Sequence, residues 1–254
     1  MPPSDLFSRL ENLSKVFEAL RKLKKLDYNV IVVINNTTDN TEKIVKSFIR
    51  KNKRISFLNL KAGGKGYATI EGFKEALKKN NDFIGFVDAD ISTTAEEYAR
   101  LALKLIDSKS DGIIASRYLP GAAIKPKPTL ARILASRIYN TWIRALFLMP
   151  YKDTQCGAKI FKREAVKKVV NSLVITKWAF DVDLLYTLRK FGFRIKEEPT
   201  RWSDVSYSKI NFMRAGPLMA LSMLRLRLLN SPLKFVVDFY NKLPAWIKIH
   251  NRIA

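Results

Sequence analysis

The sequence predicts an α/β sandwich built on a mainly parallel central sheet. Three observations carry this: short unbroken apolar runs, helical periodicity between them, and turn residues at the junctions. Runs such as Val30-Ile31-Val32-Val33-Ile34 and Phe83-Ile84-Gly85-Phe86-Val87 hold no polar side chain. They lack the alternation of a strand with one wet face, so helices must cover both faces.

The chain has 254 residues, 47% of them hydrophobic, with ten Gly and ten Pro, which excludes a disordered or low-complexity polymer. No Gly/Ser/Pro-rich linker divides it. Residues 6–23 place Leu10, Leu13, Phe17, Leu20 and Leu23 at helical spacing, with Ser4 or Asp5 as cap. A strand follows over 28–34, a polar turn over 35–41 and a helix over 42–51. The next unit is a strand over 55–60, a glycine turn over 61–66 and a helix over 67–79. A third strand, 83–87, runs out into Asp88-Ala89-Asp90, ahead of a helix over 94–105 and a strand over 112–115. Further on, 131–149 reads as an apolar helix punctuated by Arg132, Arg137 and Arg144; 180–191 is helical and 194–197 extended. Over 216–246, Leu and Met runs are interrupted by Arg225, Arg227, Lys234 and Lys242.

Charge narrows the partners. Against 23 acidic residues stand 46 basic ones, a net +23, which attracts nucleic acid, anionic membrane surfaces or phosphorylated small molecules. Residues 118–170 hold eleven basic and two acidic side chains, whereas 88–117 hold four and six. The segments 131–149 and 216–246 both have the composition of helices lying in a bilayer interface. Neither can span: the uncharged run 215–224 ends after ten residues at Arg225. No secretory leader pattern opens the chain, so a cytoplasmic, peripheral location is expected.

One cysteine, Cys156, and one histidine, His250, make no zinc set, so any metal must be held by oxygen. Cys156 has no histidine in a partner motif and is expected to be packed rather than nucleophilic. In open α/β sheets ligands bind beyond the carboxyl ends of the strands. Asp88 and Asp90 stand at such an end, and two hard oxygen donors at i and i+2 suit Mg²⁺ or Mn²⁺ with phosphate completing the shell. Gly63-Gly64-Lys65-Gly66 opens a helix where backbone can approach a phosphate and Lys65 adds a point charge. Its spacing is not that of a Walker A loop.

Taken with Ala115-Ser116-Arg117-Tyr118, Asp153-Thr154-Gln155-Cys156-Gly157-Ala158-Lys159-Ile160-Phe161 and Trp178-Ala179-Phe180-Asp181-Val182-Asp183-Leu184-Leu185, these motifs resemble a family 2 glycosyltransferase of the GT-A fold. Within that family they are most similar to the dolichyl-phosphate glucosyltransferases, relatives of the dolichol-phosphate mannose synthases. The resemblance spans about residues 28–210. It implies an inverting, metal-dependent transfer of a hexose, glucose from UDP-glucose before mannose from GDP-mannose, onto dolichyl or another polyprenyl phosphate at the cytoplasmic face of a membrane.

The resemblance also implies roles. Asp88 and Asp90 hold the cation on the donor diphosphate, and Asn36, Lys65, Asp88 and Arg117 face the donor. Arg117, Arg132, Ser136, Arg201 and Lys209 face the acceptor phosphate. Asp90 and Asp181 are the catalytic candidates. Asp181 stands where many relatives carry a base, yet a phosphate monoester is already largely a dianion at neutral pH and needs little proton abstraction. Asp181 is therefore expected to orient the acceptor or a basic residue, and Asp183 to lie on the helix surface. Two departures stand out: the family's first strand is lacking, and its Asp-Asp-Gly-Ser turn reads Asn35-Asn36-Thr37-Thr38. The expected organisation is a GT-A domain over 1–210 and basic amphipathic membrane-associating helices over 211–254. The rivals are a nucleic-acid-binding protein, whose affinity would fall steeply with salt, and an inactive relative that only binds lipid phosphate.

Overall fold

A computed structural model describes residues 26–90, 92–174, 179–203 and 212–242. The apolar runs are strands, and helices follow them. The order is β1 (Val30–Asn35), α1 (Thr41–Lys51), β2 (Ile55–Leu60), α2 (Lys65–Leu77), β3 (Phe83–Val87), α3 (Ala95–Ile106), β4 (Gly112–Ser116), β5 (Ala123–Lys125) and α4 (Leu130–Phe147). Then come β6 (Ala158–Lys162), α5 (Arg163–Val169), a 3-10 turn (Val170–Ser172), α6 (Phe180–Lys190), β7 (Ile195–Pro199), β8 (Arg201–Ser203), α7 (Phe212–Leu229) and α8 (Lys234–Lys242). The expected helix over 6–23, the expected lack of the family's first strand and Lys209 all fall outside the described residues.

Local chemistry sets the helix starts. Thr94 accepts a hydrogen bond from the Glu97 amide and so caps α3, with Glu96 and Glu97 in the first turn against the helix dipole. Thr129 caps α4 in the same way through the Arg132 amide. Helix α2 begins two residues earlier than the sequence predicts. Gly64 stands just ahead of it at φ 128°, a backbone state that glycine adopts without strain, so Lys65 becomes the first helical residue.

The central sheet has the order β3-β6-β4-β7. Strands β4 and β7 are parallel, and β6 runs antiparallel to both β3 and β4. Three strands thus point one way and one is reversed between them. β1 pairs with β2, and β5 with β8, each in parallel. The carboxyl ends of β3 and β4 open on one edge of the sheet, and the loop entering β6 arrives at that same edge.

Side chains along these strands alternate between two cores. Ile114 and Phe161 join the larger cluster with Phe73, Phe180, Leu184 and Leu185, while Ile113 and Ile160 join Leu101 and Leu105 on the other face. That is the period-two pattern of a sheet covered on both sides. Helix α7 also enters the larger core: Met223 and Leu226 are fully buried, and Arg227 Nε donates to the Leu146 carbonyl of α4 at 3.0 Å. No helix among the described residues is long and apolar enough to cross a membrane.

Leu226→Ala should cost about 2–5 kcal/mol of folding stability, as truncation of a fully buried leucine does. Urea denaturation followed by circular dichroism measures it; a loss under ~1 kcal/mol would mean that α7 does not pack on the core in solution.

Candidate active site

The edge where β3 ends is organised by charge. The Asp88 amide donates to the Gly157 carbonyl at 2.8 Å, clamping the loop before β6 against the end of β3. Gly157 has to be glycine, because a Cβ there would run into the Asp88 carboxylate. Lys65, at the first turn of α2, places Nζ 3.1 Å from Asp88 and 3.2 Å from Asp181 Oδ2. The other oxygen of Asp181, Oδ1, lies 2.6 Å from Lys159 Nζ, which also donates to the Cys156 carbonyl at 2.7 Å. Both ammonium groups lie near the Phe86 ring, at 5.6 and 5.3 Å from its centroid. The result is an alternating row: Asp88, Lys65, Asp181, Lys159.

Burial decides how these groups titrate. Desolvation pushes the Asp181 carboxyl up, but Lys159 and Lys65 outweigh it and hold the group below the usual carboxylate range. Desolvation also opposes the charged form of Lys65, and again Asp181 and Asp88 win, holding its ammonium above the ordinary lysine range. For Asp88 burial is the larger influence: despite Lys65 its carboxyl is raised, helped by the nearby charges of Asp181 and Asp90. Asp181 is thus a fixed anion with each oxygen given to a lysine, a poor proton acceptor and a good anchor.

Asp90 lies exposed beyond Asp88, and its Oδ1 accepts the Ser92 amide at 2.9 Å. Two carboxylates offering only hard oxygens fit a small divalent cation that takes its remaining ligands from water or phosphate. Among the described residues no group of three or more His, Cys, Asp or Glu side chains converges on a metal position. Asn36 has φ 45° and packs against Gly63 of the Lys65 turn.

At the end of β4 a second cluster forms. Arg117 binds Asp153 through its backbone amide (3.0 Å), Nε (2.8 Å) and Nη2 (3.0 Å), and Asp153 is fully buried. Desolvation pushes the Asp153 carboxyl up, but Arg117 outweighs it and holds the group down. Glu197 of β7 accepts the Lys152 and Asp153 amides at 2.8 Å each, locking this loop. The Arg117 guanidinium lies 5.2 Å from the Trp202 ring of β8 and 5.5 Å from that of Tyr118. Tyr118 in turn reaches Ser136 of α4 by a hydroxyl–hydroxyl hydrogen bond. Arg201 is exposed on β8, its backbone amide held by Glu97 Oε1 at 3.1 Å.

The structure therefore brings Lys65, Asp88 and Asp181 into one contact network, and Arg117 and Ser136 into another through Tyr118. Arg132 lies three residues after the cap of the same helix that carries Ser136. Three participants were not singled out from the sequence as site residues: Lys159, Asp153 and Tyr118. The signal for Lys159 was a lysine inside an otherwise strand-like stretch, Ala158-Lys159-Ile160-Phe161, where only a buried counter-ion makes such a residue tolerable.

One expectation is corrected. Asp183 is not a helix-surface residue: it is 1% exposed, because every residue of α6 from Phe180 to Leu185 is buried. It accepts the Val174 amide at 2.7 Å and the Thr187 hydroxyl at 3.4 Å, and burial pushes its carboxyl up to about 6. Cys156 is packed as expected, its thiol pushed up to about 12 by burial.

The chain is similar to known proteins in sequence and in fold. Residues 6–170 match the family model described as Glycosyl transferase family 2. A dolichyl-phosphate beta-glucosyltransferase of Dictyostelium discoideum is 30% identical over 217 residues, covering 83% of this chain and 65% of that protein. A polyprenol monophosphomannose synthase of Mycolicibacterium smegmatis is 32% identical over 142 residues, covering 56% of this chain and 53% of the other. The chain thus spans less than two thirds of the length of these relatives. Glucosyl-3-phosphoglycerate synthase from Mycobacterium tuberculosis, solved with uridine-diphosphate, superimposes with a TM-score of 0.58 over 87% of this chain and 76% of that one; at 14% identity the fold alone is shared.

Two outcomes are expected. Lys159→Met should destabilise the fold by roughly 3–5 kcal/mol, since Asp181 then loses a buried partner, and the double variant Lys159→Met/Asp181→Asn should recover much of that loss. Chemical denaturation of the three proteins tests it. Asp183 carries a raised value of about 6 in the folded state against 3.8 as a free carboxyl, so its ionisation costs folding free energy as pH rises from about 4 through about 6. The stability gained by Asp183→Asn over the parent should therefore grow across that window, by up to ~3 kcal/mol, and then level off; melting curves from pH 4 to 8 measure it.

Proposed function

Because this chain belongs to glycosyl transferase family 2 and has the GT-A fold, we propose that it transfers a hexose, glucose from UDP-glucose, onto dolichyl or another polyprenyl phosphate at the cytoplasmic face of a membrane. The observation that carries this is the charge network at the carboxyl end of β3: a carboxylate pair with open oxygen valences beside a lysine pinned by Asp181. Likeness to a dolichyl-phosphate beta-glucosyltransferase supports the sugar and the acceptor.

Asp88 and Asp90 would hold Mg²⁺ or Mn²⁺, which supplies positive charge where a departing diphosphate accumulates negative charge. Lys65 stands beside them as a fixed cation for the donor phosphates, with Asn36 at the neighbouring turn. The acceptor phosphate is largely a dianion at neutral pH. Its oxygen attacks the anomeric carbon, the bond from that carbon to the diphosphate breaks, and the electron pair leaves with the nucleoside diphosphate, inverting the centre. No base has to take a proton, which accords with Asp181 being tied to two lysines. Asp181 instead orients Lys65. By the resemblance, Arg117, Arg132, Arg201 and Lys209 are the cations, and Ser136 the hydroxyl, assigned to the acceptor phosphate, where positive charge lowers the repulsion between two anionic substrates.

Attachment to an anionic membrane surface fits the exposed side of α8. Phe235 and Phe239 are 64% and 66% exposed beside Lys234 and Lys242, an apolar face flanked by cations. Division into a catalytic domain over 1–210 and membrane-associating helices over 211–254 accompanies this proposal. Likeness to a polyprenol monophosphomannose synthase favours a second reading, mannose from GDP-mannose.

The test supplies full-length protein with vesicles containing polyprenyl phosphate, Mg²⁺ or Mn²⁺, and labelled UDP-glucose or GDP-mannose in separate arms. Glucose should enter the lipid fraction, vanish with chelator, and fall at least about a hundredfold in Asp90→Ala. Label entering only from GDP-mannose would correct the sugar, and no transfer from either would refute the proposal.

A further inference from the structure

Arg137 was read from the sequence only as one of the basic residues punctuating an apolar helix, and the reaction as described gives it no part. Its position is nonetheless particular. The guanidinium lies 4.4 Å from the centroid of the Tyr118 ring, the closest cation–ring approach among the described residues. The same tyrosine joins Ser136 through its hydroxyl and lies beside Arg117. Two guanidinium groups thus share one aromatic platform at the end of β4. They differ in what else they touch.

Arg117 has given Nε, Nη2 and its backbone amide to the buried carboxylate of Asp153, so its charge is matched one to one. Arg137 has no carboxylate partner among the described residues. No hydrogen bond from the Arg137 guanidinium to another described residue accompanies that ring contact, and a guanidinium fork with open N–H groups favours bidentate recognition of phosphate. Beside the network around Arg117 there is therefore one exposed guanidinium with its full charge and its fork of donors open.

The surface next to it is unusual. Leu130, Leu134 and Ile138 of α4 recur at four-residue intervals and are 85%, 62% and 61% exposed. Residues three, four and seven apart share a helix face, so Arg137 borders this stripe: it is seven residues after Leu130 and three after Leu134. Ser136, its predecessor, meets the hydroxyl of the same Tyr118 whose ring Arg137 covers. Arg137 stands at the boundary between an open apolar track and the cluster at the end of β4. A molecule that suits such a boundary has a phosphate at the end of an apolar chain.

We propose that Arg137, held on Tyr118, is a binding residue for the phosphate of the polyprenyl phosphate acceptor, and that the Leu130–Leu134–Ile138 stripe takes the first isoprene units behind it. This rests on the acceptor assigned above and deepens it. The pairing of a monoester dianion with an unmatched guanidinium, next to an apolar track, selects a prenyl phosphate over a diacyl phospholipid, whose two chains one narrow stripe does not accommodate. Tyr118 acts as a positioning residue: its ring carries Arg137, and its hydroxyl ties that platform to Ser136.

Flotation of the full chain with phosphatidylcholine vesicles, with and without polyprenyl phosphate, tests this apart from catalysis. The parent should bind polyprenyl-phosphate vesicles more tightly than plain ones. Arg137→Ala should lose about tenfold of that increment, the worth of one charge-assisted hydrogen-bonded contact. Arg137→Lys should recover part of it, Tyr118→Leu should resemble Arg137→Ala, and Leu134→Ser should weaken the same increment. Melting temperatures near that of the parent separate lost binding from lost fold.

An increment unchanged in Arg137→Ala, or no increment in the parent, overturns the inference. So does equal, Arg137-dependent binding to phosphatidic acid vesicles, which would make Arg137 a general headgroup contact, or full competition by inorganic phosphate at matched concentration. If the increment depends on Arg137 but no sugar is transferred, the inference stands and the transfer reaction assigned above fails. In an active preparation, Arg137→Ala should raise the KM for lipid phosphate and leave the KM for the sugar nucleotide unchanged.

Discussion

The cost of removing a lysine ammonium from water governs the site. Lys159 is wholly buried, and an uncompensated charge there would be prohibitive. It is tolerable only because Asp181 and the Cys156 carbonyl meet it at 2.6 and 2.7 Å. Satisfying Lys159 uses one oxygen of Asp181; the other then takes Lys65, and Lys65 takes Asp88. Each ion fixes the next, and the row extends from the interior to the edge where β3 opens. What reaches solvent there is a carboxylate already oriented by a chain of charges rooted in the core.

The same logic builds the other half. Asp153 is buried against Arg117, and Glu197 takes the two amides that precede and include it. Reversal of β6 between β3 and β4 makes the two halves neighbours. Its entering loop carries Asp153 on one side and Gly157 on the other, so a single short segment touches the end of both parallel strands. A strand in the ordinary parallel direction would deliver that loop to the opposite edge. Exposed groups, Asp90 and Arg137 among them, project from a frame whose buried charges are internally matched.

Much of the fold was legible in the amino-acid order. Strand β3 falls where its unbroken apolar run predicts, because such a run has no polar position to blur its limits. Helix α3 starts after Thr94 for a reason written in four residues, a hydroxyl cap and two acids. Strand β6 was not legible: Ala158-Lys159-Ile160-Phe161-Lys162 carries two lysines, and local hydropathy cannot anticipate that one of them finds Asp181 twenty-two residues away. Asp183 failed in the opposite sense. An aspartate on a helix reads as a solvent-facing residue, whereas α6 is enclosed by the core and leaves its carboxyl no water.

Composition and motif spacing by themselves determined the fold class, the carboxylate pair at the end of β3 and the excess of positive charge, since these depend on residue type and near neighbours along the chain; the family followed from the resemblance of the motifs. Tertiary structure alone decided which charges are spent and which remain. Arg117 and Arg137 are the same residue type, and nothing in the side chain itself separates them. Packing gave one a buried aspartate and the other an aromatic ring, because Coulomb pairing and stacking are set by distances across the fold rather than by order along the backbone.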